Sequence, residues 1–250
     1  AAGAAMTFAG PVLLDPLFNR FTPLADPGVR DDVLRLAGEA GVRVENVYQV
    51  DASRRTSAAN AYVNGLGATR RVVLFDTLLE TFTRAETRLV VAHELAHVRH
   101  RDVPRSLAHL ALVAPVALRA ADRLARRLDR VEPATPARLP GLALGLGVVG
   151  AALMAPANRL SRAVERRADS FALELTGAPA EFTSFERRIV VANLVDPDPP
   201  RWITGLLASH PPAVERIGLA QAYAQRQAAA AAGSVGPSTR DWTRRTPAGS

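Results

Sequence analysis

Residues 84–101 read RAETRLVVAHELAHVRHR, and the H-E-x-x-H pattern within them decides how the rest of the chain is interpreted. A spacing of four residues places His93 and His97 on one face of a helix, where both imidazoles can reach a single metal ion. Glu94 stands beside them as a candidate general base. Two histidines on an ordinary helix surface are the alternative interpretation, so the presence of a third ligand matters.

The motif is predicted to lie on a helix that runs from about Arg84 to Arg101. Thr83 and Glu86 form a T-x-x-E capping box at its start, and the residues between carry an apolar face. Pro104 is predicted to end this helix.

A second helix, over about residues 158–176, offers the third ligand. A catalytic zinc ion takes three protein ligands and keeps one position open for water. Glu165 can be the third ligand, and Asp169, one turn later, can accept a hydrogen bond from a ligand imidazole. The alternative is an exposed helix face on which these carboxylates pair with Arg162 or Arg166.

Three histidines remain outside the motif. His210 precedes two prolines, and its imidazole could donate a hydrogen bond to the oxyanion that forms when water attacks a peptide carbonyl. A loop histidine that caps a nearby carbonyl is the alternative. His100 and His109 are assigned to packing or to the surface, because the motif is complete without them.

The segment upstream of the motif predicts a small sheet. Residues 60–76 contain two extended runs, NAYVNGL and RRVVLFD, joined around Gly67 as a β-hairpin requires. Before them, residues 29–40 have helical spacing and residues 42–50 look strand-like. Together with the downstream helices, these elements give an α+β, mainly helical fold class.

Two uncharged runs separate the two ligand-bearing helices. Residues 106–118 number 13, whereas residues 139–158 number 20 and contain Gly141-x-x-x-Gly145. Twenty helical residues span about 30 Å, enough for a bilayer core, while 13 fall short unless Arg119 extends its side chain to the membrane surface. Because Glu165 must return to the side of the histidines, both runs cross as a helical hairpin, which we prefer, or neither does.

The composition excludes one class of metal site and weakens one class of partner. The chain has no cysteine, so any zinc must use histidine and carboxylate ligands. Its net charge is +7, and all 31 basic residues are arginine, a bias typical of a GC-rich genome. The arginines are interleaved with acidic residues instead of forming a stripe, so no nucleic-acid partner is expected.

These features divide the chain into three parts. Residues 1–15 are apolar and are expected to be the remnant of an upstream membrane helix. Residues 16–225 form the predicted metallopeptidase domain, with membrane-associated helices inserted at about 106–121 and 139–158. Residues 226–250 are expected to form a flexible C-terminal tail.

Five sequence blocks follow one another in a characteristic order. They are PLFNRFTPL (16–24), SAANAYVNGLG with RRVVLFDTLL (57–79), HELAH (93–97), SRAVERRADSFAL (161–173) and SHPPAVERI (209–217). With these blocks the chain resembles the CaaX prenyl protease type of integral-membrane zinc metallopeptidase, a gluzincin group that includes bacterial membrane quality-control proteases. The resemblance covers about residues 11–220.

The resemblance implies one Zn2+ ion per chain and a role for each matching residue. The zinc ligands fall on His93, His97 and Glu165, and the catalytic base falls on Glu94. The two remaining roles, orientation of a ligand imidazole and stabilisation of the transition state, fall on Asp169 and His210.

The resemblance also implies a substrate-binding edge strand, which agrees with the hairpin predicted above and would hold a peptide by β-augmentation. That strand falls on Asn60, Ala61, Tyr62, Val63 and Asn64. Arg216 matches the family's arginine after the His-Pro pair and is grouped with the substrate-binding residues. The chain departs from the family pattern at two positions that supply no ligand, Ala96 and Arg167.

The predicted function is a zinc-dependent, membrane-associated endopeptidase that cleaves peptide bonds with a metal-activated water. Its expected partners are a lipid bilayer and a peptide or membrane-protein substrate, a class that includes prenylated CaaX peptides. We expect a bacterial cell membrane, with the active site facing the cytoplasm. The alternative is a membrane scaffold or chaperone that keeps the protease fold with impaired catalysis; an arginine-rich nucleic-acid binder would rest on net charge alone.

Overall fold

The structure of the chain is a computed structural model that describes residues 20–65, 67–128 and 136–234. The expected remnant at 1–15 and the end of the predicted tail, from residue 235, lie outside these residues. Within them the fold is α+β and mainly helical, as the sequence predicts.

The first part of the described chain contains a four-stranded sheet. Its strands are β1 (Phe21–Pro23), β2 (Asn46–Val50), β3 (Ala61–Asn64) and β4 (Arg71–Phe75), in the spatial order β1-β2-β4-β3. The antiparallel pairing of β3 with β4 confirms the predicted hairpin, whereas β2 and β4 run parallel. β3 is therefore an edge strand, and no strand among the described residues pairs with its outer side.

Helix α1 (Pro27–Glu39) packs its apolar side into the main core beside the sheet. Asp26 caps its start by accepting hydrogen bonds from the backbone N–H groups of Gly28, at 2.8 Å, and Val29, at 3.2 Å. The chain leaves the helix through Gly41, whose φ is 67°. Because this exit also occupies residues 42–45, the stretch predicted as strand-like is regular only from Asn46.

Helices α2 (Asp76–Thr81) and α3 (Arg84–Arg99) follow the hairpin. The capping box predicted for α3 is present, with both the Thr83 and Glu86 bonds formed. α3 ends at Arg99, close to the predicted end at about Arg101, but Pro104 does not end it: Arg101 turns the chain with a φ of 55°. Pro104 lies in the first turn of the next helix, where a missing N–H has no helical partner to lose.

Helices α4 (Asp102–Leu128) and α5 (Leu139–Thr176) form the inserted helical hairpin. The apolar run at 139–158 and the helix predicted over 158–176 are one continuous helix, because the change from apolar to charged residues there is not a helix stop. The two helices approach closely at Gly145, where a Cβ would lie 2.5 Å from the carbonyl oxygen of Ala121. A larger side chain at this position would separate them.

The hairpin exposes most of its apolar surface. Within the described residues, α5 is the one helix long and apolar enough to cross a membrane by length and composition, and 11% of its most apolar 18-residue window is buried. A core helix of a soluble domain would be mostly buried. On both helices, more than two fifths of the surface is exposed at Leu110, Leu112, Val116, Leu118, Leu144, Leu146 and Val148.

Three further helices complete the domain: α6 (Pro179–Ala192), α7 (Arg201–Leu207) and α8 (Ala213–Ser234). α6 is tied to the start of α3, since buried Glu86 accepts hydrogen bonds from Ser184 at 3.0 Å and Arg188 at 2.6 Å. α8 packs on α6 and includes residues 226–234, which the sequence had placed in the expected flexible tail.

Candidate active site

Three side chains from two helices, α3 and α5, bring their donor atoms together. The Nε2 atoms of His93 and His97 lie 3.1 Å apart. Glu165 on α5 approaches both, with Oε2 3.4 Å from Nε2 of His93 and Oε1 3.7 Å from Nε2 of His97. The structure thus brings the three predicted ligands together, although 67 residues and the whole hairpin separate His97 from Glu165 in the sequence.

The chemistry of these donors fits a metal ion. The Nδ1 atoms of both histidines face carboxylates, which only accept hydrogen bonds, so in the neutral form of each ring the proton lies on Nδ1. Both Nε2 atoms then present lone pairs to each other and to a carboxylate oxygen of Glu165. A cation held between these three donors removes their mutual repulsion, and imidazole and carboxylate are common ligands of divalent metals.

His93 is oriented by a buried group of charged side chains. Its Nδ1 donates to Oδ1 of Asp169 at 2.9 Å. Asp169 is fully buried and also accepts two hydrogen bonds from Arg216 on α8, at 2.7 and 2.6 Å. The predicted role of Asp169 therefore has a physical basis, and Arg216 supports it from behind.

Arg216 also meets a second buried carboxylate, Glu186 on α6. Its Nη1 lies 2.7 Å from Oε1 of Glu186, but that oxygen receives no aligned hydrogen bond. Burial raises the pKa of Glu186 to about 7, although the charge of Arg216 acts in the opposite direction. Glu186 has no counterpart among the residues predicted from the sequence.

His97 is oriented by a residue that the sequence analysis missed. Its Nδ1 donates to Oδ2 of Asp102, at 3.0 Å, and Asp102 also accepts a hydrogen bond from Arg167 on α5. Asp102 is buried although it is the first residue of α4. The sequence feature that could have identified Asp102 is its position, five residues after the second histidine of the motif.

Glu94 lies in the same site as the two ligand histidines. One of its carboxylate oxygens lies within 4.8 Å of a ring nitrogen of both His93 and His97. The side chain is partly buried, and desolvation raises the pKa of its carboxyl against the attraction of the two imidazoles. A carboxylate so placed can reach a water molecule on the metal and take its proton.

His210 stands at the exposed rim of the site. It lies in the loop between α7 and α8, and its Nδ1 donates to Oε2 of Glu165 at 2.9 Å. Its side chain is 69% exposed, so the other ring nitrogen can be reached by a bound molecule. Neither of the other histidines reaches this site in the described contacts: His100 packs edge-on against Phe171, and His109 is exposed on α4.

The alternative interpretation of Glu165 and Asp169 as an exposed charged face does not hold. Both side chains are buried, and neither of the neighbouring arginines binds them. Arg162 donates to the backbone oxygens of Thr204 and Ala208, and Arg166 pairs with an acidic side chain of α8, Glu215.

The predicted substrate strand occupies the free edge of the sheet and packs beside α3. Asn60 precedes it and accepts a backbone hydrogen bond from Phe75 at 3.0 Å, so the pairing with β4 begins at that residue. Arg216, which the sequence analysis grouped with this strand, lies on α8 behind Asp169.

Comparison with known proteins identifies the family. Residues 23–224 match the model of Peptidase family M48. The chain belongs to peptidase family M48. This match confirms the resemblance to a family of metallopeptidases that the five sequence blocks indicate, and it covers strands β2 to β4, the helical hairpin and every predicted site residue.

Relatives of this M48 chain include bacterial and eukaryotic proteins. It is 34% identical over 218 residues to the uncharacterized metalloprotease YhfN of Bacillus subtilis, and the aligned region covers 84% of the chain and 51% of that relative. It is 30% identical over 218 residues to a CAAX prenyl protease 1 homolog of Oryza sativa, covering 83% of the chain and 50% of the relative. The chain thus spans about half the length of the curated relatives it matches.

The fold also resembles a solved structure. The crystal structure of S. mikatae Ste24p superposes with a TM-score of 0.76 at 24% sequence identity. The match covers 88% of this M48 chain and 56% of that chain. The arrangement of sheet, helical hairpin and ligand helices is therefore a known fold.

Proposed function

We propose that this chain is a zinc-dependent endopeptidase that acts at a membrane. The observation that carries the proposal is the convergence of His93, His97 and Glu165: the two Nε2 atoms lie 3.1 Å apart, and the carboxylate oxygens of Glu165 lie 3.4 Å and 3.7 Å from them. Donors about 2.0–2.1 Å from a tetrahedral zinc ion lie about 3.3 Å from one another. Three protein donors also leave the fourth position for water, as in catalytic zinc sites.

Each protein side chain has a distinct task in the proposed reaction. Zinc held by His93, His97 and Glu165 would lower the pKa of a water molecule and polarise the peptide carbonyl. Glu94 takes the proton from that water and passes it to the nitrogen of the leaving amine. His210, whose Nδ1 is occupied by Glu165, turns its Nε2 toward the carbonyl oxygen and stabilises the negative charge that develops there.

The proposed substrate is a peptide in extended conformation. The edge strand β3, with Asn60, lies beside α3 and offers a backbone edge to which a peptide can add by β-augmentation. The names of several relatives support a prenylated CaaX peptide, while a bacterial setting supports a membrane protein. Arg216 already binds Asp169 and Glu186, so we assign it to the support of His93 instead of to substrate contact.

We further propose that α4 and α5 cross the membrane together as a hairpin. The exposed apolar side chains of both helices and the return of Glu165 to the side of the histidines support this arrangement. A bacterial cell membrane fits the all-arginine composition. We also propose that the active site faces the cytoplasm.

Replacement of Glu94 by glutamine tests the enzymatic proposal. The parent protein and Glu94→Gln, each purified in detergent, should bind one equivalent of zinc with similar affinity. The variant should lose peptide cleavage by a factor of about 10²–10⁴, because a general base contributes that much. A matched control is Glu174→Gln, which changes an exposed carboxylate on α5 and should leave cleavage unchanged.

Two outcomes would contradict the proposal. Absence of zinc binding at neutral pH would contradict the proposed metal site. Equal cleavage by Glu94→Gln and the parent would contradict the assignment of Glu94 as the general base. The scaffold hypothesis predicts a biological effect that survives Glu94→Gln, so complementation with the same variant distinguishes it.

A further inference from the structure

A short helix beside the hairpin exposes apolar side chains that the proposed peptidase site does not use. In α7, the exposed fraction is 66% for Trp202, 45% for Leu206 and 61% for Leu207. Three large apolar side chains on seven residues form a patch that monomeric proteins rarely leave in contact with water.

The attachment of α7 to α5 fixes its position along the hairpin. Asn158 donates to the backbone oxygen of Leu206 at 2.6 Å, and Arg162 donates to the oxygens of Thr204 and Ala208 at 2.7 and 2.5 Å. Residues 139–157 are all apolar, so Asn158 is the first polar residue after the apolar run of α5. α7 therefore lies where the proposed membrane stretch ends.

Exposed arginines occupy the same level of the hairpin. α4 and α5 are antiparallel, because Ala121 contacts Gly145 and Asp102 binds Arg167. Three arginines near this end are exposed: Arg105 on α4, Arg159 on α5 and Arg201 on α7. A row of arginines at the end of an apolar stretch complements anionic lipid headgroups.

We propose that α7 is an interfacial helix that lies on the bilayer surface, with its exposed tryptophan and leucines among the lipid headgroups. Tryptophan is enriched at this depth because its ring is amphipathic, and α7 is bonded to α5 at Asn158, where the apolar run ends. The proposal rests on the membrane hairpin proposed above. It also has a functional consequence, since His210 follows α7 by three residues and binds Glu165.

Contact of α7 with lipid would therefore place His210 directly above the membrane surface. A peptide that is anchored in the bilayer would meet the site there without leaving the surface. This arrangement favours substrates that are themselves attached to the membrane.

Three single-tryptophan proteins test the proposal by lipid quenching. The chain has two tryptophans, so Trp242→Phe leaves Trp202 as the sole fluorophore. Adding Trp202→Phe allows two reference probes, Leu112→Trp in the hairpin, at a position 72% exposed, and Glu80→Trp in α2. Glu80 is exposed beyond the start of α3, a helix of 16 residues or about 24 Å that leads to the hairpin.

Each full-length protein is reconstituted into vesicles of phosphatidylcholine and phosphatidylglycerol, with bromine placed at different depths along the acyl chains. We expect Trp202 emission to shift to shorter wavelength and to fall at least twofold with bromines near the headgroups, and less with deep bromines. The Leu112→Trp probe should be quenched by bromines deeper in the acyl chains than those that quench Trp202, and the Glu80→Trp probe should not be quenched.

If Trp202 is not quenched while the Leu112→Trp probe is, α7 does not lie on the bilayer, and the membrane hairpin stands without it. If neither is quenched, both the interfacial helix and the hairpin are overturned. Neither result depends on zinc or on peptide cleavage, so the proposed peptidase reaction is judged separately.

Discussion

The two ligand histidines are oriented by the same kind of carboxylate–arginine pair in different surroundings. The pair behind His93 is buried, with no exposed surface on the Asp169 side chain and 19% on that of Arg216. The pair behind His97 is nearer to solvent, with 8% exposed on Asp102 and 40% on Arg167. One orienting role is thus filled once in the core and once at the base of the hairpin.

Because the two pairs differ in burial, they should contribute similarly to metal binding and differently to the stability of the fold. Either carboxylate fixes the tautomer of its histidine, so loss of either should lower the affinity for the metal ion by a similar factor. Breaking a buried pair leaves an uncompensated charge, at a cost of about 3–5 kcal/mol, whereas a partly exposed pair contributes about 0–1 kcal/mol. Substitutions in the two pairs should therefore agree in zinc affinity and differ in folding.

The largest effect is expected for Asp169→Asn. The change removes the charge that holds both His93 and Arg216, so zinc affinity should fall about 10–100-fold. The free energy of unfolding of the zinc-free protein should fall by about 3–5 kcal/mol, because Arg216 stays buried with one weaker partner. Chelator competition and denaturant titration measure the two quantities, with the exposed Asp31→Asn as the control. A stability loss below about 1 kcal/mol would show that the pair is not part of the core.

The second largest effect is expected for Glu186, a buried carboxylate that lies beside the pair that orients His93 and has no equivalent among the described residues beside the other pair. Its pKa is about 7 in the folded protein and 4.5 in an unfolded chain, so the folded state binds more protons between these values. Stability from this group is full below pH 4.5 and declines as the pH rises to 7. Glu186→Gln removes that decline and should make the protein more stable at pH 8, by about 3 kcal/mol.

Denaturant titrations of the parent and Glu186→Gln at several pH values between 4.5 and 8 measure this difference. The two curves should meet at the acid end and separate as the pH rises. Lower stability of the variant at pH 8 would mean that ionised Glu186 and Arg216 attract each other strongly enough to outweigh burial.

A third prediction concerns the pair at the base of the hairpin. Asp102→Asn should lower zinc affinity by the same factor of about 10–100, because His97 loses the acceptor that fixes its tautomer. Its stability should fall by only about 1 kcal/mol or less. The matched control is Asp122→Asn, which changes a carboxylate of α4 that binds Arg126 and Arg138 far from the metal ligands. An equal loss of zinc affinity in the control would assign the effect to the hairpin as a whole.

The His93 side was largely predictable from the sequence, and the comparison shows why. Spacing within one helix joins His93 and His97, and spacing of one turn joins Glu165 and Asp169, so local periodicity describes each pair. The family resemblance then brought the two helices together. Glu186 and the role of Arg216 could not be predicted, since they depend on how α6 and α8 pack behind Asp169.

The His97 side was missed because it depends on a helix boundary. Pro104 was interpreted as a helix stop, which left Asp102 in a loop, whereas Arg101 turns the chain and Asp102 begins α4. A similar error divided α5 at Asn158, where the residues change from apolar to charged without a break. In both places the residue pattern reflects the surroundings of the helix, and it does not show where the helix begins or ends.

The smallest effect is expected for Arg167→Gln, which tests whether the exposed arginine matters to its pair. Glutamine keeps a donor for Asp102, and Arg167 is 40% exposed, so its charge is screened by solvent. Stability should change by less than about 0.5 kcal/mol and zinc affinity by less than about threefold.

The matched change Arg216→Gln removes a buried charge between two carboxylates and should resemble Asp169→Asn in stability. If both arginine variants are equally mild, burial does not distinguish the two pairs; if both are severe, the hairpin base is as rigid as the core.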